Sequence, residues 1–271
     1  MEVQPEDVRI NPETRVSNLV NLSSLLFELS NPLRLEILFL TAEEKQKHGT
    51  ISEKLKISLQ ETTRHLTRLQ DAELIEKDVQ SFFTLTNYGK VILSSLHNFG
   101  FLVKNREDLM NLNLDIPKKF LERIADLRNF EKTHGTMENL RERTLLFTGA
   151  EKYIWIMSPE ILTDAIPIIS KKHEEGLDFR IILPKNVRYP HGFEFKPGEH
   201  MKVIDEIKIA MTITEKSAGL CFPTCGKDID FSISFNSQDE EFREWCKDLF
   251  LHYWENARPV NVPVGKKVND S

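Results

Sequence analysis

Residues 58–74, SLQETTRHLTRLQDAEL, decide the fold of the N-terminal part of the chain. Ser58 is a residue type that caps helix N-termini, and Leu59, Leu66, Leu69 and Leu74 predict an apolar helix face. Residues three and four apart lie on one side of a helix, so the remaining polar residues share the outward face. That face carries Gln60, Thr63, Arg64, Thr67 and Arg68.

The segments around this helix predict the rest of a small domain. Pro32 opens a preceding helix, and a short helix that Thr50 or Ser52 caps runs through Leu55. After the quoted stretch, residues 74–78 and 82–86 bracket a short turn, Val79-Gln80-Ser81, and indicate a hairpin. This order predicts an α+β winged helix-turn-helix, whose third helix enters the major groove of DNA.

The exposed residue types fit double-stranded DNA as the partner. Arg64 suits a guanine edge and Gln60 an adenine edge, whereas Arg68 is expected on phosphate. Thr63 and Thr67 are short enough to allow close backbone approach. The full predicted set is Lys54, Gln60, Thr63, Arg64, Thr67 and Arg68, with Lys77, Gln80 and Ser81 as a weak wing contact.

Charge leaves a second function class open. The net charge of −6 argues against nucleic acid, but residues 45–68 carry six basic side chains against two acidic ones. Residues 31–90 as a whole carry nine of each sign. The alternative is therefore a winged module that contacts proteins of the transcription machinery without specific DNA binding.

Three stretches carry a resemblance to a known family. Asn31-Pro-Leu-Arg-Leu-Glu-Ile-Leu, Arg64-His65-Leu66 and Leu85-Thr86-x-x-Gly89 are similar to archaeal winged-helix regulators related to the arsenic-repressor group. The resemblance implies transcription regulation, and it implies that His65 packs or touches phosphate. The cysteine-rich metal motif of the metal-sensing branch is missing. Glu73 stands where that family commonly has glycine before the wing.

The C-terminal part predicts an α/β domain with a mixed sheet. Residues 153–157 and 177–183 read as strands, and a helix from Ser158 to about Glu175 connects them, which predicts a parallel βαβ unit. Helices are also predicted from Pro117 to about 127 and over 136–146. Three strand-like runs follow at about 201–213, 217–222 and 229–235, and an aromatic amphipathic helix ends the domain.

The predicted domains are a flexible tail (1–15), the winged domain with flanking dimerisation helices (16–112), an α/β sensor domain (113–260) and a second flexible tail (261–271). Residues 111–116 are expected to form a polar hinge. The helices at 17–29 and 87–110 carry more apolar residues than one small domain buries. A homodimer with half-sites about 10 bp apart is therefore expected.

Two further resemblances concern the second domain. Ile229-Asp230-Phe231 and the aromatic positions of 239–254 resemble the sensor domain of archaeal methanogenesis-type regulators. The 153–183 unit is similar to the phospholipase-D-like effector domain of archaeal sugar-responsive regulators. Catalysis of that type needs two His-x-Lys motifs, and the sequence offers only His200-Met201-Lys202. The resemblance therefore implies a catalytically inactive domain, and we expect no enzyme activity.

A small-molecule effector is expected at a strand end. Ser158 and the following helix N-terminus could hold an anion, with Lys185 and Arg188 assisting, although helix capping alone is a sufficient explanation of Ser158 and the favoured one. Cys221, Cys225 and Cys246 with His252 could be drawn as a zinc set, but buried thiols are the simpler interpretation. We therefore expect no metal and no cofactor. A chain without a signal peptide or a membrane span is expected in the cytoplasm.

Overall fold

The computed structural model describes residues 12–188, 200–224 and 228–260, with side chains from residue 17 onward. The chain divides into two compact units, Met1–Phe99 and Gly100–Ser271. The predicted tails at 1–15 and 261–271 lie outside the described residues, except that 12–15 already form the first helix. Within the described ranges, no helix has the length and hydropathy needed to cross a bilayer.

The first unit contains the predicted helix-turn-helix and hairpin. Its elements are α1 (Pro12–Leu29), α2 (Pro32–Glu43), β1 (Gln46–Lys47), α3 (His48–Leu55), α4 (Leu59–Asp71), β2 (Ile75–Lys77), β3 (Phe82–Leu85) and α5 (Asn87–Lys104), of which the last crosses the unit boundary. The three strands form an antiparallel sheet in the order β1-β3-β2. The short strand β1 was not predicted, because two residues carry no periodic signal.

Local sequence explains the helix boundaries, and a small core holds the helices together. Pro32 opens α2, and the Asn31 side chain accepts a hydrogen bond from the Arg34 N–H at 3.1 Å. The fully buried side chains of the core are Ile37, Leu38, Ile51, Leu69 and Leu74, and Leu66, Phe83 and Leu85 pack beside them. Because the core includes α2, α3, α4 and both hairpin strands, it fixes α4 against the rest of the unit.

Backbone geometry at the hairpin explains the Leu85-Thr86-x-x-Gly89 motif. The Thr86 hydroxyl donates to the Glu73 carbonyl at 2.6 Å and accepts from the Gly89 N–H at 2.9 Å. A Cβ atom at Gly89 would overlap the Leu74 carbonyl oxygen, so only glycine fits there. Glu73 itself adopts φ 58°, the left-handed conformation that favours glycine.

The second unit is a mixed sheet with helices on both faces. Its helices are α6 (Arg106–Asn111), α7 (Lys118–Leu121), α8 (Thr136–Gly149), α9 (Ile166–Glu174) and α10 (Glu240–Asn256), with short 3₁₀ turns at Ile124–Leu127 and Thr163–Ala165. Its strands are β4 (Glu131–His134), β5 (Tyr153–Met157), β6 (Asp178–Pro184), β7 (Met201–Ile204), β8 (Ala210–Thr214), β9 (Ala218–Cys221), β10 (Ile233–Ser237) and β11 (Arg258–Pro259).

The eight described strands pair in the order β11-β7-β6-β5-β8-β9-β10-β4. The pairs β5–β6 and β6–β7 are parallel, which confirms the predicted βαβ unit, and the other pairs are antiparallel. One face packs against α10 through Trp245, Leu249 and Phe250. The other face packs against α8 and α9, where Phe147 and Ile169 are buried.

The boundary between the units lies earlier than the predicted division between 112 and 113. It falls inside α5, and this helix ends at Lys104 rather than continuing to residue 110. The predicted polar hinge at 111–116 belongs to the second unit, because Ile116 is buried there and the Asn113 N–H donates to the Pro223 carbonyl at 2.7 Å. The polar composition of 111–116 predicted a hinge, because the sequence does not show that this segment contacts residues more than 100 positions away.

Two predicted elements of the second unit were wrong in extent. The helix expected from Ser158 begins only at Ile166, because Pro167 is tolerated in a first helical turn but not in a helix interior. The single strand-like run at 201–213 is two strands, β7 and β8, with β6 and β5 between them in the sheet. A continuous strand could not occupy both positions.

Candidate nucleic-acid interface

The turn between α3 and α4 sets the position of α4. Lys56 adopts φ 55° at the end of α3, and the Ser52 hydroxyl donates to the Ile57 carbonyl at 2.6 Å. Ser58 then caps α4 as predicted, because its side chain accepts from the Glu61 N–H at 3.1 Å. These local bonds fix where α4 begins and which of its faces meets the core.

The inward and outward faces of α4 are sharply divided. Thr62, His65, Leu66 and Leu69 are buried, and the Thr62 hydroxyl donates to the Ser58 carbonyl at 3.0 Å. The predicted residues Gln60, Thr63, Arg64 and Thr67 are exposed on the opposite side. A helix anchored along one side therefore presents a row of polar side chains along the other.

Arg64 is the most available basic side chain on this face. Its side chain is 69% exposed, and the nearest acidic oxygen, Glu61 Oε1, lies 3.8 Å away. An exposed pair at that distance contributes little free energy, so a DNA phosphate or base can displace it. Arg64 is consequently free to reach a groove.

Leu59 corrects the predicted apolar face. It is 57% exposed at the first residue of α4, although the spacing had placed it with the buried leucines. The three residues before it form the inter-helix turn, and Leu59 does not belong to the core cluster of the unit. An exposed leucine at the amino end of such a helix can contact a thymine methyl group.

Thr63 is exposed but its hydroxyl already has partners. It bonds His48 Nε2 at 2.9 Å and the Leu59 carbonyl at 2.9 Å. His48 is the first residue of α3, so this bond joins the two helices of the motif. The sequence analysis missed His48, because only the folded arrangement places residues 48 and 63 together.

Arg68 does not stand free, and its predicted phosphate contact would have to displace an ion pair. Its guanidinium binds both carboxylate oxygens of Glu28 on α1, with Nε to Oε2 at 2.9 Å and Nη2 to Oε1 at 2.5 Å. Glu28 is also 3.3 Å from Arg34 Nε, and the Phe27 ring lies below both arginines. The Arg68 hydrogen bond is the largest cause that lowers the pKa of Glu28. Arg68 therefore fixes α1 to α4.

The remaining predicted basic contacts lie at the edges of the motif. Lys54 is exposed on α3 and pairs with Glu44 Oε1 at 3.2 Å. Lys77, Gln80 and Ser81 are exposed on the hairpin, and Ser81 adopts φ 65°. Asp78 closes the turn by accepting from the N–H groups of Gln80 and Phe82 at 2.8 and 2.9 Å.

Two further lysines, one in β1 and one just before it, were not among the predicted contacts. Lys45 and Lys47 lie over the Phe82 ring, with Nζ 4.4 and 4.9 Å from its centroid. Phe82 is on β3, so both ammonium groups gather at the base of the wing. The basic count of residues 45–68 was the available signal, but it did not reveal this placement.

His65 lies on the buried side of α4, with Thr62, Leu66 and Leu69. It is 3% exposed, neither ring nitrogen has a hydrogen-bond partner, and Glu61 Oε1 is 3.8 Å from Nε2. Burial is the main cause that lowers the pKa of this imidazole, and the nearby Arg64 and Arg34 add to it. The expectation that His65 packs is confirmed, with an unsatisfied polar ring as its cost.

In the second unit, the structure does not bring the predicted effector residues together. Ser158 is 3% exposed and lies before the helical segment, and its oxygen accepts from the Glu160 N–H at 3.4 Å. Lys185 pairs with Asp205, and Arg188 is exposed. Neither basic residue lines the cleft that contains Ser158. The helix N-terminus expected at Ser158 is therefore not there.

The His-x-Lys and cysteine positions have structural partners. Lys202 Nζ donates to the Trp254 carbonyl at 2.9 Å, and the His200 ring bonds the Phe179 carbonyl at 3.0 Å. Cys221 and Cys246 are buried, which raises the pKa of both thiols. Cys225 lies outside the described residues. Elsewhere in the described ranges, no group of three or more His, Cys, Asp or Glu side chains converges as a metal site.

Comparisons with known proteins give structural likenesses only. No family model matches the sequence, and no curated protein sequence is significantly similar to it. The chain is similar to TrmBL2, described as an archaeal chromatin protein with a novel mode of DNA binding, at 14% identity over 84% of this chain and 92% of that one (TM-score 0.38). Reduced HlyU from Vibrio cholerae is 26% identical over 32% of this chain and 96% of its own (TM-score 0.29). The homodimeric winged domain of Mb0332 from Mycobacterium bovis is 18% identical over 39% of this chain and 92% of its own (TM-score 0.29). These scores are low, so function is inferred from the residues of the chain itself.

Proposed function

We propose that this protein is a dimeric, sequence-specific DNA-binding transcription regulator with an effector-sensing second unit. The observation that carries the proposal is the outward row of α4, where Leu59, Gln60, Arg64 and Thr67 are exposed on a helix whose other side is buried. A helix of this kind, preceded by a short helix and followed by a hairpin, is the element that reads base edges in the major groove.

The side chains divide into base-reading and backbone-positioning groups. Arg64 suits the two acceptors of a guanine and Gln60 suits adenine, whereas Leu59 suits a thymine methyl group. Lys54, Lys45 and Lys47 lie outside this row, so we assign them to phosphates. Lys77, Gln80 and Ser81 supply a weak contact from the wing.

The charge distribution predicts modest affinity. Glu28 occupies Arg68, and Glu44 faces Lys54, so few cations remain to neutralise phosphates. Each phosphate contact contributes to the slope of binding against salt concentration. The protein should therefore bind DNA measurably at low salt and release it readily as salt rises.

A second copy of the chain is the proposed cover for two apolar helix faces of the first unit. On α1, Leu19, Val20, Leu22 and Leu26 are exposed by about half, and on α5 Val91 is 64% exposed. Apolar surface of this extent on neighbouring turns marks an interface, and the unit buries its own core without these residues. A symmetric pair would present two α4 helices about one DNA turn apart, roughly 10 bp.

The proposed DNA binding is tested with the full chain and DNA from upstream of its own gene, by fluorescence anisotropy over a range of salt. Arg64→Ala should cost about 1–3 kcal/mol and relax sequence preference. Lys54→Ala should weaken binding to all sequences and reduce the salt slope by about 1. Lys171→Ala, a 78% exposed lysine of the second unit, is the charge-matched control and should change nothing.

If neither Arg64→Ala nor Lys54→Ala alters binding, the DNA-reading assignment is wrong. That result would favour the alternative function, contact between the winged unit and proteins of the transcription machinery. The balanced charge of residues 31–90 suits such a surface.

The dimer is tested separately by light scattering after gel filtration. Leu22→Glu should shift the mass from two chains to one, because a buried charge without a partner opposes association. Ser17→Glu adds the same charge on the side of α1 that faces away from Leu19, Leu22 and Leu26, and should leave the dimer intact. A single-chain mass for the unaltered protein would exclude the proposed dimer.

A further inference from the structure

A polar cleft lies between α8 and the sheet of the second unit. Its floor is one row of paired residues across four strands, in which Thr212 pairs with Ile156 and Gly219, and Gly219 with Asn236. Its roof is formed by Asn139, Arg143 and Leu146, which lie on one face of α8 because they are four and three residues apart. The cleft is partly open to solvent.

Small residues in the sheet create this space. Gly219 has no side chain in the floor, and a Cβ atom there would lie 2.5 Å from Asn236 Oδ1. Ala210, Ser158 and Ser234 are the other small lining residues. Elsewhere on this face Phe147, Ile169 and Phe179 fill the gap between helix and sheet. The small residues of the sheet therefore leave a polar cleft beside the apolar part of this layer.

Three hydrogen-bond donors in the cleft have no oxygen acceptor among the described residues. The Thr212 side chain is 5% exposed and has no hydrogen bond among the described residues, and the Ser158 hydroxyl accepts from Glu160 but donates to nothing there. Arg143 forms no ion pair within the described ranges. Its guanidinium contacts only Cys221 Sγ at 3.9 Å and the Phe231 ring at 5.0 Å.

The other lining groups do not complement these donors. Asn139 Oδ1 accepts from the Ser234 hydroxyl at 2.7 Å, and Asn236 Nδ2 donates to that same hydroxyl at 2.8 Å. No carboxylate lines the cleft. Burial raises the pKa of the Cys221 thiol, so this sulfur stays neutral and does not serve as the counterion of Arg143.

We propose that this cleft binds a small oxyanion group, a carboxylate or a phosphate, through Arg143 with Thr212 and Ser158. An arginine fork with two hydroxyls and no facing carboxylate matches the oxygens of such an anion, and hydrogen bonds to a charged group are the stronger kind. The free space accommodates about one water molecule as the side chains stand, so only the anionic group enters and the rest of the ligand faces solvent. That this ligand is the effector rests on the proposed function, whereas its binding does not.

Isothermal titration of the full chain with sodium phosphate, and separately with sodium acetate, tests the site at constant ionic strength set by chloride. At least one of the two anions should bind at one site per chain. Arg143→Gln should weaken binding at least about tenfold, and Thr212→Val should weaken it several-fold while keeping the shape of the side chain. The control is Arg141→Gln, since Arg141 is 71% exposed on the same helix and does not line the cleft.

The two anions distinguish a phosphate group from a carboxylate as the preferred ligand. The proposal is overturned if neither anion binds the unaltered chain, or if Arg143→Gln binds as well as Arg141→Gln does. Circular dichroism establishes that each variant is folded, and Thr212→Val decides the matter if Arg143→Gln is not. Because no DNA is present, loss of the proposed regulator function would leave this result standing, and the reverse also holds.

Discussion

Replacing His65 by leucine should stabilise the N-terminal unit although it alters the helix proposed to read DNA. The imidazole is 3% exposed, and neither ring nitrogen has a hydrogen-bond partner. Folding therefore removes water from two polar atoms and returns nothing to them. Leucine has a similar volume and fits among Leu66, Leu69 and the other apolar side chains of this core.

The size of the effect follows from the number of unsatisfied atoms. A buried polar group without a partner costs about 1–3 kcal/mol, and the contact with Glu61 at 3.8 Å is too long to offset it. We expect His65→Leu to raise the free energy of unfolding of this unit by about 1–3 kcal/mol. His65→Gln keeps a buried polar group and should give no such gain.

The same substitution should remove part of the pH dependence of stability. Burial lowers the pKa of His65 in the folded chain, so between the folded and unfolded pKa values the unfolded chain binds more protons. Stability is therefore full above the unfolded pKa of about 6.5 and is lost as pH falls through the folded value. Both His65→Leu and His65→Gln remove this contribution to the pH dependence, but only His65→Leu should also raise the free energy of unfolding. Comparing the two variants therefore separates the gain in stability from the loss of the titrating group.

Hydrogen exchange of α4 peptides, measured at pH 7.5 and 5, reports on the first unit alone. Tryptophan fluorescence follows the unfolding of the second unit, because Trp155, Trp245 and Trp254 all belong to it. It serves as the control, since substitution of His65 should leave this signal unchanged. Less protection of α4 in His65→Leu than in the unaltered chain at pH 7.5 would refute the reasoning. The titration argument would be refuted if the protection of α4 changed between pH 7.5 and 5 by the same amount in both variants as in the unaltered chain.

Three other perturbations of the first unit follow from its geometry. Glu73→Gly should stabilise it by about 1 kcal/mol in urea unfolding, because φ 58° strains any residue with a Cβ atom; a lower midpoint would contradict this. Gly89→Ala should destabilise it by about 1–3 kcal/mol in the same assay, since the new methyl group meets the Leu74 carbonyl; Gly49→Ala, where the space is open, is the control and should show no comparable loss. Glu28→Gln removes the charge that holds Arg68, so DNA binding at low salt should tighten and the salt slope should steepen by about 1; an unchanged slope would mean that Arg68 stays away from phosphate even when released.

Local chemistry in the sequence was sufficient for the helix-turn-helix. Pro32 and the capping residue Ser58 act over a few residues, so the sequence shows where α2 and α4 begin. The spacing of Leu66 and Leu69 shows which face of α4 is buried. The exposure of Gln60, Arg64 and Thr67 follows from the same periodicity. The parallel pair β5–β6 was predictable for an equally local reason, a short crossover between two apolar runs.

Tertiary contacts decided the features that join distant residues. Glu28 captures Arg68 across 40 residues, which turns an expected phosphate contact into a brace between α1 and α4. The cleft proposed to bind an anion places together Arg143 of α8, Thr212 of β8 and Ser158, the residue after β5, and the predicted partners of Ser158 lie elsewhere. Helical and strand periods report only which face of an element is apolar. How those faces pack decides which charges and hydroxyls come into contact across elements. The sequence alone does not give the distances between side chains on different elements.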